Sequence, residues 1–283
     1  MTDSSAACHL EWTQARVAFM HVLILLPPSE GKTHPTGPPL DFNHLSRPEL
    51  HPVRRKILTE LDAVLNSPTR LRQMNLQGAA EREFPRNADL VKAPAGPAGE
   101  VYSGVLFQAL DLSGLSALGR RRASSRLAIA SALWGLVSVA DHIPAYRLSA
   151  GMKLGRLGDL NALWRSALAS VLDPIAAQRL IIDCRSGPYV AAWRPRGAGY
   201  QNWLPVRVFQ DRAGKRTTVS HDAKRTRGLL ARHVLNSEAP DPRTPDQLAQ
   251  IAQSIDGIEA EITNNPRATA SQPPRTLDLI RRA

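Results

Sequence analysis

A single mixed α/β domain, with a central mixed sheet surrounded by helices, is predicted by three features of the sequence. Residues 22–26 and 180–184 are apolar runs with little polar alternation, as strands buried on both faces require. Between them lie segments with helical spacing of apolar residues, Ile57, Leu61 and Val64 for example. Strands and helices that interleave in this way argue one domain, and a chain 43% hydrophobic and 22% charged can bury its core.

The elements follow in order. Residues 1–19 carry no periodicity and read as a disordered extension, so the domain is expected to span 20–263. They lack the basic start and apolar core of a signal peptide, and no apolar stretch is long enough to span a bilayer. A cytoplasmic protein without membrane contact is expected. The strand at 22–26 must stop at Pro27 and Pro28, which remove two donors and fix φ. The chain leaves it as Ser29-Glu30-Gly31-Lys32-Thr33, a loop with one acid, one base and two hydroxyls. A triphosphate-binding loop would need glycine at position 26, where Leu26 stands, so that reading is rejected.

Residues 48–67 read as a helix with Val53, Ile57, Leu61, Val64 and Leu65 inward and Arg54, Arg55, Lys56 and Glu60 outside. Residues 69–74 and 80–86 read as short helices around Gly78. That is a faint helix-hairpin-helix pattern, which ordinary packed short helices also produce. Residues 93–99 form a loop, and 101–110 a helix with Tyr102 at its start. A second buried strand covers 127–132. Asp159 caps a helix over 160–172, with Leu160, Leu163, Trp164, Leu168 and Val171 inward. The third strand, 179–184, exits into Arg185 and Ser186. Strands at 203–210 and 217–221 form a hairpin, and Asp222 caps a helix over 223–236. Thr244-Pro245-Asp246-Gln247 is a capping box. Residues 264–283, rich in Pro, Arg and Ser, read as a disordered tail.

The formal net charge of +11, with a pI near 10.4, points to a polyanionic partner, DNA or a nucleotide-like small molecule. Cys8 and Cys184 make neither a disulfide framework nor a metal cluster, and no metal or cofactor is expected.

Six stretches occur in a fixed order: Leu25-Leu26-Pro27-Pro28-Ser29-Glu30-Gly31-Lys32, Val101-Tyr102-Ser103-Gly104-Val105, Ala132-Leu133-Trp134-Gly135-Leu136, Ile143-Pro144-Ala145-Tyr146-Arg147-Leu148-Ser149, Asp183-Cys184-Arg185-Ser186-Gly187-Pro188-Tyr189, and Val219-Ser220-His221-Asp222-Ala223-Lys224-Arg225-Thr226-Arg227-Gly228. On these stretches the chain resembles the YaaA family of peroxide stress proteins, in particular its actinobacterial branch. The resemblance implies a mixed α/β fold of the family's own type, with a helix-hairpin-helix element within residues 71–89. It also implies a cytosolic role in hydrogen-peroxide resistance and DNA binding.

Each stretch places a polar tip after an apolar run. Glu30, Tyr102, Asp183 and His221 are the candidate catalytic groups. Lys32, Tyr146, Arg147, Arg185, Ser186, Lys224 and Arg227 are the candidate anion- or phosphate-binding groups, because guanidinium forks and ammonium heads suit phosphate and carboxylate. Lys32, Arg147, Arg185 and Lys224 are expected to lie close together. The competing structural account is a set of buried ion pairs, Glu30 with Lys32 or Arg147 and Asp183 with Arg185. Two functions follow. One is a peroxide-stress protein that binds DNA through its phosphates. The other is an enzyme acting on a nucleotide or nucleobase-like molecule in a pocket at the sheet end. Residue types alone leave open whether the chain is an enzyme.

Overall fold

A computed structural model describes residues 22–212, 215–218, 220–269 and 272–282. The N-terminal extension expected over 1–19 lies outside the described residues. Strand β1 (Val22–Leu26) is followed by helices α1 (His51–Leu65), α2 (Pro68–Gln73) and α3 (Ala79–Glu83). Then come β2 (Ala95–Pro97), α4 (Ala98–Val101), α5 (Val105–Leu110) and α6 (Ala117–Arg126). Strands β3 (Leu127–Ser131), β4 (Gly135–Ser138), β5 (His142–Pro144), β6 (Lys153–Leu154) and β7 (Gly158–Asp159) precede the long helix α7 (Leu160–Ala176). After β8 (Leu180–Asp183) and the single turn α8 (Gly187–Val190), β9 (Trp203–Arg212) and β10 (Lys215–Thr217) lead into α9 (Ser220–Asn236). Helix α10 (Pro245–Gln253), β11 (Ile258–Asn264) and β12 (Arg275–Arg282) follow.

The main sheet has the order β11-β12-β9-β8-β1-β3-β4, with β10 paired to β9. Its five inner strands are parallel, and β4 and β11 are antiparallel. Counted in chain order, the parallel strands run 2-1-3-4-5, a doubly wound arrangement whose direction reverses at β1. Right-handed crossovers that leave β1 in opposite directions put their helices on opposite faces. Helices α5, α6 and α9 pack together over β1, β3 and β9, while α7 packs on β4 and α1. A strand between two helical layers must be apolar on both sides, and every residue of β1 is at most 2% exposed.

Trp164 on α7 closes the sheet end. Its indole donates to the carbonyl of Ala132 at 2.8 Å, and its ring lies over Gly135. A Cβ at Gly135 would stand 2.6 Å from that ring, and φ there is +73°, so both space and backbone require glycine.

Within the tail expected to be disordered, residues 275–282 form a strand instead. Strand β12 pairs with β9 and β11 and buries Leu277, Leu279 and Ile280. The prolines, Pro266, Pro273 and Pro274, belong to the connection before it. Asp278, inside the strand, is neutralised by Arg207, whose Nε donates to Oδ1 at 2.7 Å, and by the hydroxyls of Thr263 and Thr276. Composition hid a strand that helps to centre the sheet.

Four further readings are corrected. Arg54, placed on the outer face of α1, is fully buried and donates to the carbonyls of Trp134 and Leu136, each at 3.0 Å. The helix expected over 101–110 is broken at Tyr102–Gly104, where Gly104 has φ +103°. The strand expected to reach His221 ends at Thr217, and α9 already begins at Ser220, so Asp222 lies inside the helix rather than capping it. The short helix expected over 69–74 begins one residue earlier, at Pro68, with Ser67 as its cap. Asp159 and Thr244 cap α7 and α10 as expected.

Deleting residues 275–283 should abolish cooperative unfolding. Burial of Leu277, Leu279 and Ile280 contributes roughly 1.5–3 kcal/mol per side chain, a large part of the usual ~5–15 kcal/mol of domain stability. A thermal melt of the shortened chain followed by circular dichroism checks this, and a transition within a few degrees of the full chain would contradict it.

Candidate functional site

Where strand order reverses, the two connections part and leave a crevice at the C-terminal ends of the flanking strands. Here the order reverses at β1, so that position is beyond Leu26 of β1 and Asp183 of β8. The loop after β1 is folded back against the break between α4 and α5. Lys32 forms a β-bridge with Tyr102, and the amide of Thr33 donates to the carbonyl of Val101 at 2.9 Å. The Ser29 hydroxyl accepts from the amide of Ser103 at 3.0 Å and donates to the carbonyl of Gly31 at 2.5 Å.

The loop holds the Lys32 ammonium inside the molecule. Its Nζ donates to the carbonyls of Ser29 (2.9 Å) and Glu30 (3.5 Å). It sits 4.3 Å from the ring centre of Tyr146 and 5.5 Å from that of Tyr102. The two phenols form a chain that ends on β3. The Tyr102 and Tyr146 hydroxyls are 2.9 Å apart, Tyr146 is 2.7 Å from the Ser131 hydroxyl, and Ser131 accepts from the amide of Trp134 at 2.8 Å. Burial pushes both phenols above the ordinary tyrosine value.

Arg147 stands at the rim with its side chain 20% exposed. Asn87 grips its backbone: the Arg147 amide donates to Oδ1 and the Asn87 amide donates back to the Arg147 carbonyl, each at 2.8 Å. Its guanidinium is 3.6 Å from the Glu30 carboxylate and 3.4 Å from that of Glu83 on α3. Both nearby carboxylates therefore go to Arg147. Among the described residues, Lys32 makes no ion pair within 4.0 Å. Its pKa is lowered to about 8, first by burial and then by the charge of Arg147, against the weaker pull of Glu30 and Glu83.

Asp183 and Arg185 form a different structure. The Arg185 fork donates Nε to Oδ1 at 2.9 Å and Nη2 to Oδ2 at 2.8 Å. Its other bonds go to the carbonyls of Tyr189 (3.1 Å) and Trp193 (2.9 Å), and the Trp203 indole donates to Asp183 Oδ2 at 2.9 Å. Both side chains are essentially buried. Burial, the largest influence on Asp183, opposes its ionisation, but Arg185 and Trp203 together hold its pKa below the usual carboxylate value. This pair is a strut. It fixes α8 and with it Tyr189, whose hydroxyl accepts from the amide of Ala150 at 3.3 Å and feels the charges of Glu30 and Arg147.

The expected cluster is therefore brought together in part. Lys32, Tyr102, Tyr146 and Arg147 converge, and Glu30 joins them from a carboxylate 80% exposed to solvent. Arg185 lies beneath, committed to protein partners. Ser186 precedes α8 without a side-chain capping bond. Arg227, half-buried on α9, donates to the carbonyl of Val206 at 3.1 Å, and its charge reaches the Cys184 thiol at the exit of β8. Lys224 is exposed on α9. The side chain of His221 lies outside the described residues. Glu83, Asn87 and Ser131 belong to the site but were not read from the sequence, because no local pattern marks them. Among the described residues no group of three or more His, Cys, Asp or Glu is placed to hold a metal ion.

A family model described as peroxide stress protein YaaA matches residues 22–257. A UPF0246 protein of Streptomyces coelicolor is 40% identical over 243 residues, covering 85% of this chain and 92% of the relative. A UPF0246 protein of Corynebacterium glutamicum is 39% identical over 256 residues, covering 88% and 98%. One of Burkholderia mallei is 27% identical over 258 residues, covering 86% and 96%.

Two substitutions separate the strut from the pocket. Asp183→Asn should cost about 3–5 kcal/mol in urea unfolding, because it strands a buried guanidinium. Lys32→Met should be neutral or stabilising at neutral pH. Between pH 8 and 10.5 the unfolded chain holds the lysine proton that the folded chain has released, so the native protein should gain stability relative to Lys32→Met as pH rises through that window. A gap between the two proteins that stays constant with pH would contradict the assignment.

Proposed function

The chain belongs to the peroxide stress protein YaaA family, and from the site just described we propose that its working centre is a pocket for a phosphate-bearing, nucleotide-like small molecule at the ends of β1 and β8. One observation carries this reading. A half-buried ammonium that makes no ion pair among the described residues lies beside a half-open guanidinium at the reversal point of a doubly wound sheet. A fold gains no stability by gathering two cations in a partly desolvated site, and an anion at their mouth offsets the cost. Ligands of doubly wound sheets bind at such reversal points. Arg147 supplies a planar fork for phosphate, and Glu30 and Glu83 hold that fork in place until the ligand arrives.

A second reading, DNA binding through phosphates without base specificity, is favoured by the +11 net charge. Arg72, Arg82 and Arg86 are exposed in and around α2 and α3, and α3 carries Glu83 onto Arg147, so this basic surface adjoins the pocket. A cytoplasmic location fits both readings, and no helix among the described residues is long and apolar enough to cross a membrane.

Calorimetric titration with adenosine monophosphate and with a short duplex, each at low and high salt, separates the two. The pocket reading expects nucleotide binding that Arg147→Ala weakens about tenfold or more, the ~1.5–3 kcal/mol of a charge-assisted hydrogen bond, with a shallow salt dependence. Duplex binding should fall steeply with salt and should change little on Arg147→Ala. Nucleotide affinity indifferent to Arg147→Ala would overturn the pocket reading.

A further inference from the structure

We infer that Lys32 is an amine nucleophile, which condenses with the carbonyl carbon of a small phosphorylated aldehyde or ketone while Arg147 holds the phosphate. The inference rests on the phosphate-binding part of the pocket reading and departs from its nucleotide-like ligand.

The chain has six lysines, and Lys56, Lys92, Lys153, Lys215 and Lys224 are all exposed. Lys32 alone is half-buried. A lysine kept only for charge would sit better in water or against a carboxylate. Lys32 is half withdrawn from water and makes no ion pair among the described residues, since Arg147 takes Glu30 and Glu83. Two backbone carbonyls and two ring faces orient its head group. Burial and the neighbouring guanidinium both favour the neutral amine, which is the form that attacks carbonyl carbon.

The step balances without an oxidant or reductant. The nitrogen lone pair forms an Nζ–C bond as the C=O π bond breaks, giving a carbinolamine. Its oxygen leaves as water with the two protons that the amine carried. The imine nitrogen then takes one proton from solvent and becomes an iminium, which draws electrons from the adjacent carbon. Arg147 neutralises the phosphate and keeps the carbonyl end toward the amine.

Intact protein is treated with glycolaldehyde phosphate, or with glycolaldehyde, in the presence of cyanoborohydride, and the six lysines are followed by peptide mass spectrometry. Lys32 should be trapped roughly tenfold or more faster than the exposed lysines near pH 7.5, as its larger neutral fraction requires. The phosphorylated aldehyde should react with Lys32 faster than the plain one. Arg147→Ala should erase that preference, and inorganic phosphate should slow the reaction. Trapping of Lys32 no faster than that of Lys56 or Lys92 overturns the inference. If adenosine monophosphate still binds in that case, the pocket reading stands and the nucleophile falls. If it does not bind, both fall. The trapping uses the wild-type chain, so the result does not depend on a variant that folds.

Discussion

Strand β1 is hydrogen-bonded in parallel on both edges, to β3 and to β8, and the rest of the molecule follows from that position. Parallel partners on both sides demand crossovers in both directions, hence helices on both faces, hence an apolar strand throughout. The reversal also decides where polar chemistry can sit. The loop after Leu26 cannot be covered by a single crossover, because the connections on its two sides diverge. Pro27 and Pro28 end the strand sharply, and Ser29 and Lys32 fasten the loop to the break between α4 and α5.

Charge placement around that loop is a matter of who takes the carboxylates. Glu30 and Glu83 approach Arg147 from two different elements, while Asn87 holds its backbone. Lys32, nearer the interior, is left with carbonyls and tyrosine faces. One cation is thereby positioned and partly neutralised at the rim, and the other is desolvated and unpaired within. The Asp183–Arg185 pair shows the opposite economy, with each polar atom of the carboxylate and most of the fork engaged by protein. It supports the site without facing a ligand.

Much of the fold is legible in the sequence because buried parallel strands leave unbroken apolar runs, as at 22–26 and 180–183, and because caps such as Asp159 and Thr244 have local chemistry. What escapes reading has non-local causes. Arg54 looks like a surface residue, and only the carbonyls of Trp134 and Leu136, eighty residues away, make its burial possible. Strand β12 is hidden by the composition of the segment before it, and its aspartate is tolerated only because Arg207 meets it from β9. For the site, Lys32, Tyr102, Tyr146 and Arg147 are visible as polar tips after apolar runs. The same pattern also selects Asp183 and Arg185, since an ion-pair strut and a ligand pocket use the same residue types.

The account stands or falls on the state of one amine. Six lysines give six resolvable side-chain signals, so a pH titration of lysine-labelled protein by carbon-detected magnetic resonance reads Lys32 directly. The predicted result is a midpoint near 8 that moves upward when inorganic phosphate is added, because a bound anion stabilises the ammonium. A Lys32 midpoint at the ordinary 10.5, unmoved by phosphate, would contradict the account.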